Sequence, residues 1–277
     1  MEIKARGLTF DVYEDGPADG RPVLLLHGFP QDHREFDLIL PRLHAAGLRT
    51  YALDQRGYSP GARPIPVGEY RLAEPCADAI AVLDALEIDS AHVVGHDWGA
   101  QVGWMLAARH PERVSTLTAV SVPHPRALRL ALRVRASQRA RFAYMGVFRS
   151  APAERLLLAR NGAALRAMMK QIGPRAALYA DAMREPGRLT GALNWYRALS
   201  GEQLAGTGLI TVPTTYVWSD KDPVVGLTAA VRTADWVEAD YQLVAFRGIS
   251  HWVPEEAPDD LADAILARVG QDQSDAS

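Results

Sequence analysis

A chain of 277 residues with 48% hydrophobic and 23% charged side chains carries enough apolar material for one large globular core. Its formal net charge of −3 gives no reason to expect a nucleic-acid or membrane partner. Cys76 stands alone, residues 1–6 lack the apolar stretch of a signal peptide, and no run approaches a membrane span, so a disulfide-free cytoplasmic protein is expected.

Residues 3–13 read as an edge strand that turns near Asp15 and Gly16. Residues 22–26 form a short continuous apolar run, the mark of a strand buried on both faces, and lead into His27-Gly28-Phe29-Pro30. An amphipathic stretch over 34–46, interrupted by Pro41, closes at Gly47. A strand over 50–53 precedes Asp54-Gln55-Arg56-Gly57-Tyr58 and a Pro- and Gly-rich loop over 59–68. A helix over 72–86 comes next, then the apolar run 91–94, which enters Gly95-His96-Asp97-Trp98-Gly99 and a small-residue helix. Another strand covers 114–120. Strands alternating with helices at this spacing predict an α/β fold with a parallel, doubly wound sheet.

From 124 to 206 the strand signal stops. Helical segments rich in Leu, Ala and Arg are broken at Gly146, Pro152, Gly162, Gly173-Pro174 and Pro186-Gly187. The expected organisation is a core over 1–123, a helical cap over 124–206 lying on the sheet's C-terminal edge, and the rest of the core over 207–277. Arginines at 126, 129, 133, 135, 139 and 141 open the cap and read as a solvated helix face. Alternation resumes with a strand over 214–218, a helix over 227–234, a strand over 242–246 and a helix over 259–269. The polar tail 271–277 is expected to fray.

A strand that enters a helix through Gly-x-(nucleophile)-x-Gly is the nucleophile elbow of α/β-hydrolases. Here the central residue is Asp97, where most such elbows carry Ser. A carboxylate, with a reference pKa of ~3.9, is ionised at neutral pH without a base, and the helix N-terminus favours an anion there. It is a poor nucleophile toward an ester carbonyl but a usable one toward an sp3 carbon bearing a leaving group. The product is an alkyl ester of Asp97, whose hydrolysis needs a His–acid pair and an oxyanion hole. His251, in Gly248-Ile249-Ser250-His251-Trp252, is the histidine that follows the cap and the last strand. Asp222 is the favoured acid and Asp220 its rival; Ser219 supplies the small residue three positions before Asp222. The N–H groups of Phe29 and Trp98 are the candidate oxyanion donors. His27 and His96 read as structural. His92 and His96, four apart on a strand, would sit ~13 Å from one another, so no metal site is expected.

Epoxide opening, haloalkane dehalogenation and haloacid dehalogenation all suit an Asp elbow. An epoxide's alkoxide needs a proton donor such as tyrosine, with a reference pKa of ~10. A halide needs only N–H donors, and a haloacid needs a cation. His27-Gly28-Phe29-Pro30, Asp54-Gln55-Arg56-Gly57-Tyr58, the Asp97 elbow, Asn194-Trp195-Tyr196-Arg197 and the His251 segment together resemble the α/β-hydrolase-fold epoxide hydrolases, along nearly the whole chain. Haloalkane dehalogenases are near relatives. The resemblance implies a cofactor-independent enzyme that turns a small apolar epoxide and water into a diol, as a monomer or homodimer. It implies that two cap tyrosines hold the epoxide oxygen: Tyr196 matches one, and Tyr144 matches the other more loosely, with Tyr179 as rival. Phe29, Trp98, Phe142, Met145, Phe148 and Trp252 are the expected pocket lining. The alternatives are a dehalogenase or a ligand-sensing protein that performs no turnover.

Overall fold

The computed structural model, described over residues 1–275, places eight strands in one sheet: β1 (Glu2–Ala5), β2 (Leu8–Asp15), β3 (Arg21–Leu26), β4 (Leu48–Leu53), β5 (Ala91–His96), β6 (Val114–Val120), β7 (Thr214–Ser219) and β8 (Tyr241–Phe246). Their order is β1-β2-β4-β3-β5-β6-β7-β8. From β4 to β8 every pairing is parallel, while β1–β2 and β2–β4 are antiparallel.

Alternation along the central strands explains why they are apolar throughout. Leu24 and Leu26 of β3 face one core, and Val23 and Leu25 face the other. The first core is closed by α2 (Ala73–Ala85) and α3 (Trp98–Arg109), which contribute Val82, Leu83 and Trp104. The second is closed by α1 (Leu40–Ala45) and α13 (Pro258–Asp275), which contribute Leu43, Leu261 and Ile265.

Between β6 and β7 lie α4 (Pro125–Val134), α5 (Ala136–Arg141), α6 (Tyr144–Arg149), α7 (Ala153–Met168), α8 (Arg175–Ala182), α9 (Arg188–Ala198) and α10 (Gly201–Ala205). Two short helices, α11 (Leu227–Arg232) and α12 (Val253–Glu256), flank β8. No helix among the described residues is long and apolar enough to cross a membrane.

Several expectations need correction. The single strand over 3–13 is a two-strand hairpin, because Arg6 and Gly7 turn through positive φ (51° and 77°). Pro41 starts α1 rather than interrupting a longer helix; it sits in the first turn, where its missing N–H costs nothing. Gly146 lies within α6 and does not break it. The break in α7 spans residues 159–162, where Arg160 and Asn161 take positive φ together with Gly162. The last helix continues through the polar tail to Asp275; the expected fraying at 276–277 falls outside the described residues.

Candidate active site

The sheet's C-terminal edge collects the loops after β3, β5, β6, β7 and β8, which is where open α/β sheets place their sites. Asp97 sits between β5 and α3 with φ 50° and ψ −113°, a strained conformation for a non-glycine residue. The elbow is possible only because its neighbours lack Cβ atoms. A Cβ on Gly99 would lie 1.8 Å from the Leu26 carbonyl oxygen, and one on Gly95 would lie 2.3 Å from that of Gly99. Gly28 is equally constrained, since its Cβ would lie 2.3 Å from that of Asp97.

The Phe29 N–H donates to Asp97 Oδ1 at 2.9 Å. Asp97 Oδ2 lies 3.3 Å from His251 Nε2. On the far side of the ring, His251 Nδ1 lies 2.8 Å from Asp222 Oδ2. The other Asp222 oxygen accepts the N–H groups of Val224 and Val225 at 2.6 and 3.0 Å. Asp220 is exposed and accepts the Gly248 N–H, so it stays outside this relay.

The His251 loop is held by its backbone. Ser121 Oγ and His96 Nε2 both donate to the His251 carbonyl, at 2.8 and 2.9 Å, and Ser219 Oγ donates to that of Ser250 at 2.6 Å. Burial works against a charged imidazole, but the Asp222 carboxylate and then Asp97 overcome it and raise His251 to about 10. Burial likewise pushes the Asp97 carboxyl up. The hydrogen bond and charge of His251, the charge of His96 and the Phe29 N–H outweigh it and hold Asp97 below the ordinary carboxylate value. Both shifts favour an imidazolium beside anionic Asp97.

Two cavities meet at Asp97, Tyr144 and Tyr196. One is lined also by Trp98, Phe142 and Met145. The other, the roomier at about 210 Å³, is lined also by Phe29, Phe148, His251 and Trp252. All six expected lining residues therefore border one of the two. Tyr196 packs edge-on against Trp98 and Phe148, with ring centroids 4.9 Å away in each case, and Tyr144 lies 6.2 Å from Tyr196. Burial, followed by the Asp97 charge, keeps both phenols protonated far above their ordinary value. Tyr179 is elsewhere: it is fully buried and donates its hydroxyl to Glu255.

The sequence matches the family described as alpha/beta hydrolase fold over residues 21–258. It is 31% identical to the AB hydrolase superfamily protein YfhM of Bacillus subtilis, over 95% of both chains. The chain belongs to the α/β-hydrolase family. This hydrolase is also 30% identical to Epoxide hydrolase A of Mycobacterium tuberculosis, over 95% of both chains. The solved structure of Epoxide Hydrolase A from Mycobacterium thermoresistibile matches it with TM-score 0.84 and 27% identity over 97% of each chain. Bacillus megaterium epoxide hydrolase, solved with an inhibitor, matches in fold with TM-score 0.89 and 24% identity over 98% of this chain and all of that one.

Some residues that shape the hydrolase's site carry no local signature. Glu35 is fully buried, with Oε2 3.2 Å from His96 Nδ1. Burial raises its carboxyl to about 7 against the opposing pull of His96. The pair sits behind His251, whose carbonyl His96 holds. The 54–58 motif seats α9, and with it Tyr196. Gly57 and Gly191 approach so closely that a Cβ on either would lie within 2.8 Å of the other's backbone. The Trp195 indole donates to the Arg56 carbonyl at 2.9 Å, while Arg56 itself pairs with buried Asp78 through two 2.6 Å bonds.

Proposed function

We propose that this hydrolase opens an apolar epoxide to a vicinal diol through an ester on Asp97. The observation that carries the reading is one carboxylate shared between a backbone N–H and a His–Asp pair, in a mostly apolar cavity lined by two tyrosines. Residues 124–206 act as the cap. Tyr144 and Tyr196 hydrogen-bond the epoxide oxygen. Asp97 Oδ2 attacks a ring carbon from the opposite side, the C–O bond breaks, and a tyrosine hydroxyl gives its proton to the alkoxide.

Forming the ester removes one of the two negative charges that hold the proton on His251. The imidazolium is then supported by Asp222 alone and releases its proton, which restores the tyrosine. Neutral His251 takes a proton from water, and the hydroxide adds to the ester carbonyl carbon. The N–H groups of Phe29 and Trp98 stabilise charge on Oδ1. Collapse breaks the bond between the ester carbonyl carbon and the diol oxygen, which takes the proton held on His251, and the new Asp97 carboxyl gives its own proton back to the ring. Diol leaves, and one oxygen of Asp97 now comes from water. No step needs a cofactor.

The rival reading, haloalkane dehalogenation, draws on the buried Trp98 indole N–H beside Tyr196. Two tyrosines beside the carboxylate fit an oxygen leaving group better, since a halide needs no proton. The test is product analysis on terminal, cyclic and aryl epoxides beside haloalkanes and aryl esters, with wild type and Asp97→Ala. Diol that disappears in the variant supports the reading, and halide without diol refutes it. A folded protein inert on the whole panel argues for the ligand-sensing alternative, which ligand binding without turnover would establish.

A further inference from the structure

Three residues of the arginine run that opens the helical segment border one concavity. Arg126, Arg129 and Arg133 stand at i, i+3 and i+7 on α4, while Ala127, Leu128 and Ala131 are buried on its other side. With Leu130, Ala205 and Trp236 the three arginines line a pocket of about 350 Å³ that has no acidic side chain. Among the described residues none of the three makes an ion pair, whereas Arg34, Arg56, Arg188 and Arg268 all do. Three guanidinium groups gathered in one concavity repel one another, and an anion relieves that repulsion.

The pocket floor is built from stacked side chains. The Arg126 guanidinium lies 4.9 Å over the Trp236 ring, and the His124 ring stacks on the same indole at 5.8 Å. His124 Nδ1 accepts the Arg126 N–H at 3.2 Å, and Nε2 donates to the Gly208 carbonyl at 3.0 Å. Both ring nitrogens are committed, so the ring is neutral and its tautomer is set. Burial lowers it to about 3, and the Arg126 charge acts in the same direction. With its indole already engaged, the pocket offers charge rather than an open aromatic face.

We propose that this pocket binds a phosphate-class dianion through the guanidinium groups of Arg126, Arg129 and Arg133. Guanidinium forks match paired phosphate oxygens, and a dianion offsets more of the clustered charge than a carboxylate does. The pocket shares a wall with the active-site cavity. Leu128 and Leu204 line the active-site cavity that also holds Trp98 and Phe142, while their neighbours Arg129 and Ala205 line the basic pocket. Arg126 Nε donates to the Ala205 carbonyl at 3.0 Å, tying α10 to α4 across that wall. An anion that draws these arginines inward shifts the wall and changes how well bulky substrates fit. This coupling rests on the epoxide reading; the binding does not.

The test is calorimetric titration of the full chain with inorganic pyrophosphate, beside flotation with phosphatidylcholine vesicles containing phosphatidic acid. Wild type is compared with the double variant Arg129→Gln/Arg133→Gln. Saturable one-to-one binding of pyrophosphate, weakened roughly tenfold or more in the variant, supports the site and a free ligand. Vesicle binding lost in the variant, without pyrophosphate binding, supports the same phosphate chemistry drawn from a lipid headgroup. Wild type that binds neither, or a variant that binds as wild type does, overturns the proposal. For coupling, saturating pyrophosphate should change KM for a bulky epoxide at least twofold in wild type and not in the variant. Binding with unchanged KM refutes the coupling alone. Binding by a protein that turns over no epoxide refutes the proposed reaction and leaves the site standing.

Discussion

Replacing Asp222 with Asn changes one charge and one proton while keeping the turn. Oδ1 accepts two backbone N–H groups, and an amide oxygen retains both bonds. The other arm, 2.8 Å from His251 Nδ1, becomes an NH2 donor. Nδ1 must then accept and carries no proton, so the neutral ring is protonated at Nε2, which faces Asp97 at 3.3 Å. A ring protonated there cannot take a proton from water. The lost charge-assisted bond costs about 1.5–3 kcal/mol, and the wrong tautomer in a comparable relay costs about 10⁴ in turnover. Ester formation needs only anionic Asp97 and the two phenols. Ester breakdown in D222N should therefore slow about 10³- to 10⁴-fold, while formation stays within about tenfold. Rapid-quench mass spectrometry of the intact protein reads both steps: the variant should gain one substrate mass and keep it. Circular dichroism checks that it is folded. Equal slowing of both steps, or a folded variant that turns over without adduct, would refute the assignment of Asp222 and His251 to the second step.

The tyrosines should show the converse. Tyr196→Phe and Tyr144→Phe should each slow ester formation roughly 10²-fold and leave the decay of a preformed ester unchanged, read by the same assay. Glu35 gives a stability test. Burial raises its carboxyl to about 7 from 4.5, so the folded protein keeps a proton that the unfolded chain loses. The stability this provides is complete below about pH 4.5 and falls by about 3 kcal/mol as pH rises to about 7. Glu35→Gln lacks that proton exchange, so urea titrations across this window should show the variant gaining on wild type. A constant difference would exclude the raised pKa. Gly99→Ala drives a Cβ into the Leu26 carbonyl and should cost about 3 kcal/mol or more, a loss of roughly 5–10 °C in melting temperature. A variant melting within a degree or two of wild type would mean that the elbow can relax.

The central sheet was legible because β3 and β5 are short apolar runs ending in glycine-bearing motifs, a pattern with few other solutions. The closeness of Asp97, Asp222 and His251 was legible because each follows a strand whose C-terminal end lies on the same sheet edge. What was hidden depends on contacts distant in the chain. The Arg6-Gly7 hairpin lay inside an apparently continuous strand. Glu35 meets His96 across 61 positions, and no local pattern marks it. Glu255 engages the Tyr179 hydroxyl from α12, a contact that no local pattern reveals. Whether the α4 arginines had partners was a question about tertiary placement, and periodicity alone gave them only a face.

Three of the bonds that hold the His251 loop end on carbonyl oxygens, which every residue possesses. Ser121, His96 and Ser219 grip the main chain at 250 and 251 and are indifferent to what hangs from it. Position 251 is therefore a socket whose walls belong to β5, β6 and β7. Exchanging its occupant removes the ring's bonds to Asp222 and Asp97 but leaves the three main-chain bonds in place, so an altered rate reports the missing imidazole rather than a displaced loop. The same socket leaves room for drift: a lineage can change the chemistry at this point by one substitution while inheriting the scaffold intact.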